Sequence, residues 1–491
     1  MKMLFYTISV SLLLVACNFS KPVKNVEPLG FEPTISPDYL GVTIPATIAP
    51  LNFALIDSFE KVDILISGSN EGKIHLQGTK VPDIPIRLWQ SLLKKNIGKS
   101  LEISVHIFRD QKWFGYEPFY WFVSPDNIDE SICYRLIAPG YEVYSKMGIY
   151  QRTLSDFTQD VIYENSLVPG SCVNCHSFKE TDQSYFTMHI RGKHGGTFVS
   201  TPEHPLTAYS TKTDSTISAC VYPYWHSSGM YIAYSNNETR QTFHTREFER
   251  IEVFDFKSDI TVYDIANNKL ISSPLLRTDN YETFPAFSTD GKRLFFCNAE
   301  QKKMPKEFKE VKYNLCSIDF DPETQTFGNH IDTLLRADHI GKSITFPRPS
   351  YDGRFLMFVA IDYGQFSIWH KEADLWMLDL KDGSILKLDE INSNDTESCH
   401  SWSSNSRWVV FSSRRGDGLY TRPYIAHIDE NGKASKAFLL PQKDPVTFYD
   451  QLIYSYNIPE FCNGRLTLDN ALVEDQLLEE KKPEFTFSTQ K

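Results

Sequence analysis

The side chains best equipped for chemistry stand together at Cys172-Val173-Asn174-Cys175-His176. Two thiols spaced this way can close a small disulfide in an oxidising compartment. With His176 and one further ligand they can bind zinc, although no second CxxC and no HxxxH completes a set. Thioredoxin-like exchange would need a βαβ setting that the flanking sequence lacks. Apart from Cys17, the other cysteines (Cys133, Cys220, Cys297, Cys316, Cys399 and Cys462) are scattered, mostly in apolar strand-like runs, and read as buried thiols. A second group is Arg414-Arg415-Gly416-Asp417-Gly418, followed by Tyr420 and Arg422. It combines cationic forks with an amphipathic ring, types enriched where proteins bind partners. A solvated loop with a local Arg–Asp pair is the alternative, a pair of that kind being worth about 0–1 kcal/mol.

The Cys-x-x-Cys-His string also resembles the c-type haem attachment signature. That resemblance implies thioether bonds from Cys172 and Cys175 to the two vinyl groups of a porphyrin. It implies His176 as the proximal iron ligand, and Met188, or else His189 or His194, as the distal one. Haem c is therefore an expected cofactor, with the disulfide and the metal site open beside it.

These groups need a scaffold, and internal repeats supply it. Tyr222-PYWHSSGMYIAYSN, Phe284-PAFSTDGKRLFFCN, Phe346-PRPSYDGRFLMFVA and Cys399-HSWSSNSRWVVFSS share one pattern: an aromatic or proline start, a polar turn, then a β-prone run. Asp290-Gly291 and Asp352-Gly353 are hairpin turns, where glycine accepts positive φ. Each unit continues into a second strand pair with its own polar turn. Strand-built repeats of this length imply a β-propeller, because one blade cannot bury both faces alone. The segments resemble the PD40 repeat of TolB-like propellers, with Phe284-PAFSTDGKRLFF the nearest match, and the whole chain resembles TolB-like PD40 lipoproteins of Bacteroidetes. Five or six blades are expected, six by analogy.

The expected fold is all-β: a β-sandwich-like N-terminal domain followed by the propeller. Alternating runs such as Val62-DILISG, Leu101-EISVHIF and Glu117-PFYWFVS suggest the sandwich. Trp113, Phe119, Tyr120, Trp121 and Phe122 are expected in its core, and a helix is expected at Ile84 to Lys95. The boundaries read as signal peptide 1–16, flexible tether 17–43, sandwich 44–165, CxxCH linker 166–184, propeller 185–465 and tail 466–491.

The N-terminus sets the expected compartment. Lys2 and the short apolar run Met3 to Val15 read as a secretory signal. Leu14-Val15-Ala16-Cys17 resembles the lipobox of bacterial lipoproteins, which implies acylation of Cys17 and a membrane anchor. Asn18-FSKPVKN carries no acidic run, favouring the periplasmic side of the outer membrane. A net charge of −12 argues against nonspecific nucleic-acid binding. The string S-x-D-x-G-x-x-W of sialidases and a G-x-S-x-G nucleophile elbow are missing, so no enzyme class is expected. Two functions follow. One is a tethered binding or scaffold module for an envelope protein or glycan. The other is a monohaem electron carrier or redox sensor that uses the propeller as a platform. Four variable inserts, 237–258, 299–313, 361–373 and 413–422, should emerge on one face and carry the partner site, with Arg414, Arg415, Tyr420 and Arg422 in the sharpest of them.

Overall fold

The computed structural model describes residues 23–139, 146–245 and 249–489. The expected signal peptide and Cys17 lie outside them.

The N-terminal part is one seven-stranded sheet. Lys61–Gly68 pairs antiparallel with Lys73–Gly78 and with Ser100–Arg109, and Phe119–Ser124 extends the latter. Strict alternation gives it one apolar face: Leu101, Ile103, Val105 and Ile107 are buried, while Glu102 points out. The helix Ile86–Lys95 lays Trp89, Leu92 and Leu93 on this face. Trp89 meets Trp121 edge-on at 5.5 Å, and both indole N–H groups find buried carbonyls, of Ile48 and Tyr39. Phe119 and Trp121 are core as expected, but Tyr120 (48% exposed) and Phe122 (41%) face out from the same strand.

Two expectations change here. Among the described residues no separate sandwich forms: Ser131–Ile137, Gly148–Thr153 and Gln159–Glu164, which would have supplied it, form their own meander, and its Ser131–Ile137 strand hydrogen-bonds to Ser455–Cys462 near the C-terminus. The core of the N-terminal sheet runs on through Tyr134, Trp408, Val410, Ile425 and Tyr456. Nor is 23–43 a loose tether. Val26–Pro28 pairs in parallel with Lys112–Gly115, Tyr39 and Val42 are buried, and Tyr39 Oη donates to Leu439 O.

The rest of the chain has a propeller-like arrangement. Four sheets of four strands stand apart. One is the closure just described; the others begin at Cys172–Lys179, Ser343–Pro349 and Glu397–Trp402. Between them lies a ten-stranded sheet. It holds two successive meanders, beginning at Cys220–Trp225 and Tyr281–Phe287 and joined by a single parallel bridge, Ser258↔Tyr281. Five or six separate blade sheets are therefore not what the pairing shows, because this bridge fuses two meanders. The segment 166–184 is no linker, since Cys172–Lys179 is an antiparallel partner of Asp182–Arg191. The tail is also structured: Asn470–Leu478 buries Val473 and Leu477, and Thr486–Thr489 pairs in parallel with Lys269–Ser272.

Candidate functional site: an axial cavity

The first strands of the successive sheets share a local defect. In each, the register against the neighbouring strand slips by one residue: after Val173, Val221, Thr283, Thr345 and Ser398, and likewise within Ser455–Cys462. Such a bulge re-aims side chains. The first bulge residue is Asn174, Tyr222, Phe284, Phe346, Cys399 or Ile458, and all six line one cavity of about 380 Å³. Five of them hold a left-handed backbone, with φ of 51° at Tyr222 and Phe284, 57° at Phe346, 53° at Cys399 and 47° at Ile458. The second bulge position is Pro223, Pro285, Pro347 or Pro459, with Cys175 and His400 in the two exceptions. Proline suits a residue outside the ladder, because it has no N–H to leave unpaired. This is the physical basis of the proline in the repeat.

Three of the four inserts reach the cavity, through Asn237 to Val253, through Gln365 to Trp369, and through Arg414 and Thr421. The remaining insert packs behind them, Phe308 lying against Phe254 at 5.5 Å and Tyr363 at 5.6 Å. The wall is largely apolar and aromatic, with Arg135, Arg191 and Arg414 set into it. Among the described residues, no lining residue is an aspartate or glutamate. The nearby acids already have donors: Asp255 accepts from Asn237 and Tyr313, and Glu252 from Tyr363. Burial raises Asp255 to a pKa of about 6. Arg414 stacks on the Trp369 ring at 3.1 Å, and burial pulls its guanidinium down to about 9. Arg135 Nη1 donates to the carbonyls of Val173 and Asn174, bracing the bulge that carries the CxxC.

Below the cavity, the residues after the bulges include His176, Tyr224, Arg348 and Glu460. Arg348 is sandwiched at 4.0 Å from Phe346 and 5.2 Å from Tyr224. His176 Nε2 lies 3.8 Å from Glu460 Oε2, and neither atom has a hydrogen-bond partner among the described residues. Burial drives both toward neutrality, Glu460 up to about 8 and His176, with Arg135 adding to the effect, down to about 3.

The structure divides the expected haem residues. Cys172 and Cys175 both line the cavity. The bulge compresses their separation to the two rungs between Arg191 and His189, about 7 Å along the strand. His176 turns instead toward the strand Ser455–Cys462. Met188 is its cross-strand partner, so the two side chains leave the sheet side by side, whereas two axial ligands approach an iron from opposite faces. His189 is engaged with Thr197 Oγ1. His176 and Met188 thus do not fit as an axial pair. Among the described residues, no group of three or more His, Cys, Asp or Glu side chains could hold a metal ion.

The charged insert divides as well. Arg414 reaches the cavity. Arg422 is buried and donates to the carbonyls of Tyr449, Leu452 and Tyr454, clamping the chain that leads into the closing strand. Arg415 pairs with the buried Glu397 at 2.9 Å. Tyr420 is half-buried, with the Arg422 guanidinium 5.0 Å from its ring. Sequence reasoning missed Arg135, Arg191 and Gln365. It also missed Ile458-Pro459-Glu460-Phe461, which repeats the Phe284-Pro285-Ala286-Phe287 pattern and could have been found by it.

No protein-family model and no curated protein sequence matches the chain. Solved structures that align with part of the chain include an oligogalacturonate lyase in complex with manganese, at a TM-score of 0.37 and 11% identity, over 62% of this chain and 73% of that one. An oligogalacturonate lyase from Vibrio parahaemolyticus gives 0.34 and 13%, over 61% and 92%. Prolyl oligopeptidase B from Galerina marginata gives 0.36 and 11%, over 69% of this chain and 42% of its own. The propeller assignment itself rests on the strand pairing described above.

Proposed function

We propose that this chain is a lipid-anchored, extracytoplasmic β-propeller binding protein whose ligand enters the axial cavity. In this reading the ten-stranded sheet is two blades in contact. Six blades then surround the axis, and Ser455–Cys462 closes the first of them against Ser131–Ile137. The carrying observation is convergence: one bulge residue from each of five first strands and from the closing strand, and three of four inserts, meet at a single cavity. Strained bulky residues in one register position are the kind of feature that persists around functional sites. The lipobox resemblance at Cys17 supports the anchor, and the PD40 resemblance supports a binding role in the cell envelope, toward a protein segment or glycan able to enter the cavity. The test is native mass spectrometry of protein purified from its own envelope, compared with the cavity-filled variant Thr239→Trp/Ser367→Trp. A bound species present on the first and missing from the folded second is expected. Equal occupancy in both would refute the cavity as the site.

A further inference from the structure

We infer that the axial cavity selects an organic anion with an apolar body, its oxyanion head received by Arg414 and Gln365. This rests on the cavity being the binding site. Gln365 is 1% exposed and lines the cavity, yet neither its amide nitrogen nor its amide oxygen has a hydrogen-bond partner among the described residues. Arg414 is 4% exposed, and its Nε is likewise unpartnered. Unmade hydrogen bonds of this kind are rare inside proteins, and each marks a position where something else supplies the partner. Asp395 and Asp417, neither of them a lining residue, attract the Arg414 guanidinium, while Arg250 repels it. A second guanidinium, Arg135, is 8% exposed with its Nε also unpartnered.

The charge balance points the same way. In a chain of net charge −12, the described residues that wall this cavity include three arginines and no carboxylate. A cationic ligand would meet like charges at low local dielectric. A neutral polar ligand would leave the guanidinium donors without a charged acceptor, and charge-assisted bonds are roughly twice as strong as neutral ones. Phe243, Phe284, Phe346, Trp369 and Ile458 offer the body of the ligand an apolar surface, while Asn237, Thr239 and Asn457 make other parts of the wall polar. The volume of about 380 Å³ suits a small organic molecule or the end of a larger one.

The experiment uses three ligands with one body and different heads: naphthylacetate, naphthylacetamide and naphthylethylamine, titrated calorimetrically into the purified full-length protein. The carboxylate is expected to bind about tenfold or more tighter than the amide, and the amine weakest. Arg414→Met should bring the carboxylate down to the affinity of the amide. Gln365→Leu provides a second variant that keeps the fold. It removes two unsatisfied polar atoms, so the free protein should melt no lower than wild type while carboxylate affinity falls severalfold. Equal binding of the three heads, or preference for the amine, would overturn the anion assignment and leave the cavity standing as the site. Failure of all three to bind would overturn both.

Discussion

Replacing Arg415 with methionine should destabilise the protein by about 3–5 kcal/mol, the cost of breaking a buried ion pair from one side. Glu397 is fully buried and accepts from Ser393 Oγ, Ser413 Oγ and Arg415 Nη2 at 2.9 Å. Arg415 also donates to Ile391 O and Ser413 Oγ, and its guanidinium lies 4.4 Å from the Tyr424 ring. Methionine keeps much of the apolar contact and removes the charge, so the loss falls on Glu397. Burial already raises this carboxyl above its ordinary value, with Arg415 opposing the rise. Removing Arg415 must raise it further. A carboxyl with a raised folded pKa favours folding in its protonated form, so the penalty is relieved below its ordinary pKa and grows as pH rises through the folded value.

Urea unfolding of wild type and Arg415→Met between pH 4 and pH 8 measures this directly. The gap should be largest at pH 8 and shrink toward pH 4. The double variant Arg415→Met/Glu397→Gln should recover much of the loss, because it removes the buried charge that Arg415 no longer compensates. A gap below 1 kcal/mol, or one that is flat with pH, would refute the reasoning. The same result bears on the partner site: loss of binding in an Arg415 variant would report unfolding of this corner before it reported a lost contact.

Other outcomes follow from the same geometry. His370 is buried between Glu372, at 3.0 Å, and Glu252, at 3.7 Å; burial depresses the imidazole, but the two carboxylates outweigh it and hold it at about 9. Its stabilisation, at most about 3 kcal/mol, should be complete below pH 6.5 and fade as pH rises through 9, and His370→Gln should flatten that alkaline limb in a pH series of melting curves. Truncation after Tyr454 removes the strand that pairs with Ser131–Ile137 and should abolish cooperative unfolding, as seen by near-ultraviolet circular dichroism; a sharp transition would refute the closure. Protein made beside cytochrome c maturation machinery should give no haem stain after denaturing electrophoresis, since Cys172 and Cys175 line the cavity while His176 is buried beside Glu460; a stain lost in Cys172→Ser/Cys175→Ser would refute that reading.

The repeats were legible because their chemistry is local: a polar hairpin turn before an apolar run can be read within a short window. Three things were hidden by distance along the chain. Ser131–Ile137 reads as an ordinary alternating strand, and nothing local tells it that its partner is Ser455–Cys462. Asn174-Cys175-His176 occupies the bulge filled elsewhere by Tyr222-Pro223-Tyr224, but the missing proline and the conspicuous thiols disguised a blade strand as a cofactor linker. Gln365 carries no motif at all. It matters because the fold buries its amide without partners, a property that exists only in three dimensions.

The left-handed residues say why the cavity wall is more than a by-product of closure. A non-glycine residue in that region costs about 1–2 kcal/mol, and glycine would meet the same backbone demand without the strain. Instead the chain places Tyr222, Phe284 and Phe346 there, with Cys399 and Ile458. Their side chains are not idle. Tyr222 and Phe284 lie 4.3 Å apart, Phe284 and Phe346 5.5 Å, and Phe346 carries the Arg348 guanidinium at 4.0 Å. Aromatic pairs contribute about 0.5–1.5 kcal/mol each beyond burial, which offsets part of the strain. Tyr222, Phe284 and Phe346 therefore brace one another while presenting apolar surface to the axis. A wall held this way is preorganised, so a ligand that enters it forgoes little side-chain entropy, and the unpaired donors at Arg414 and Gln365 are left to decide which ligand stays.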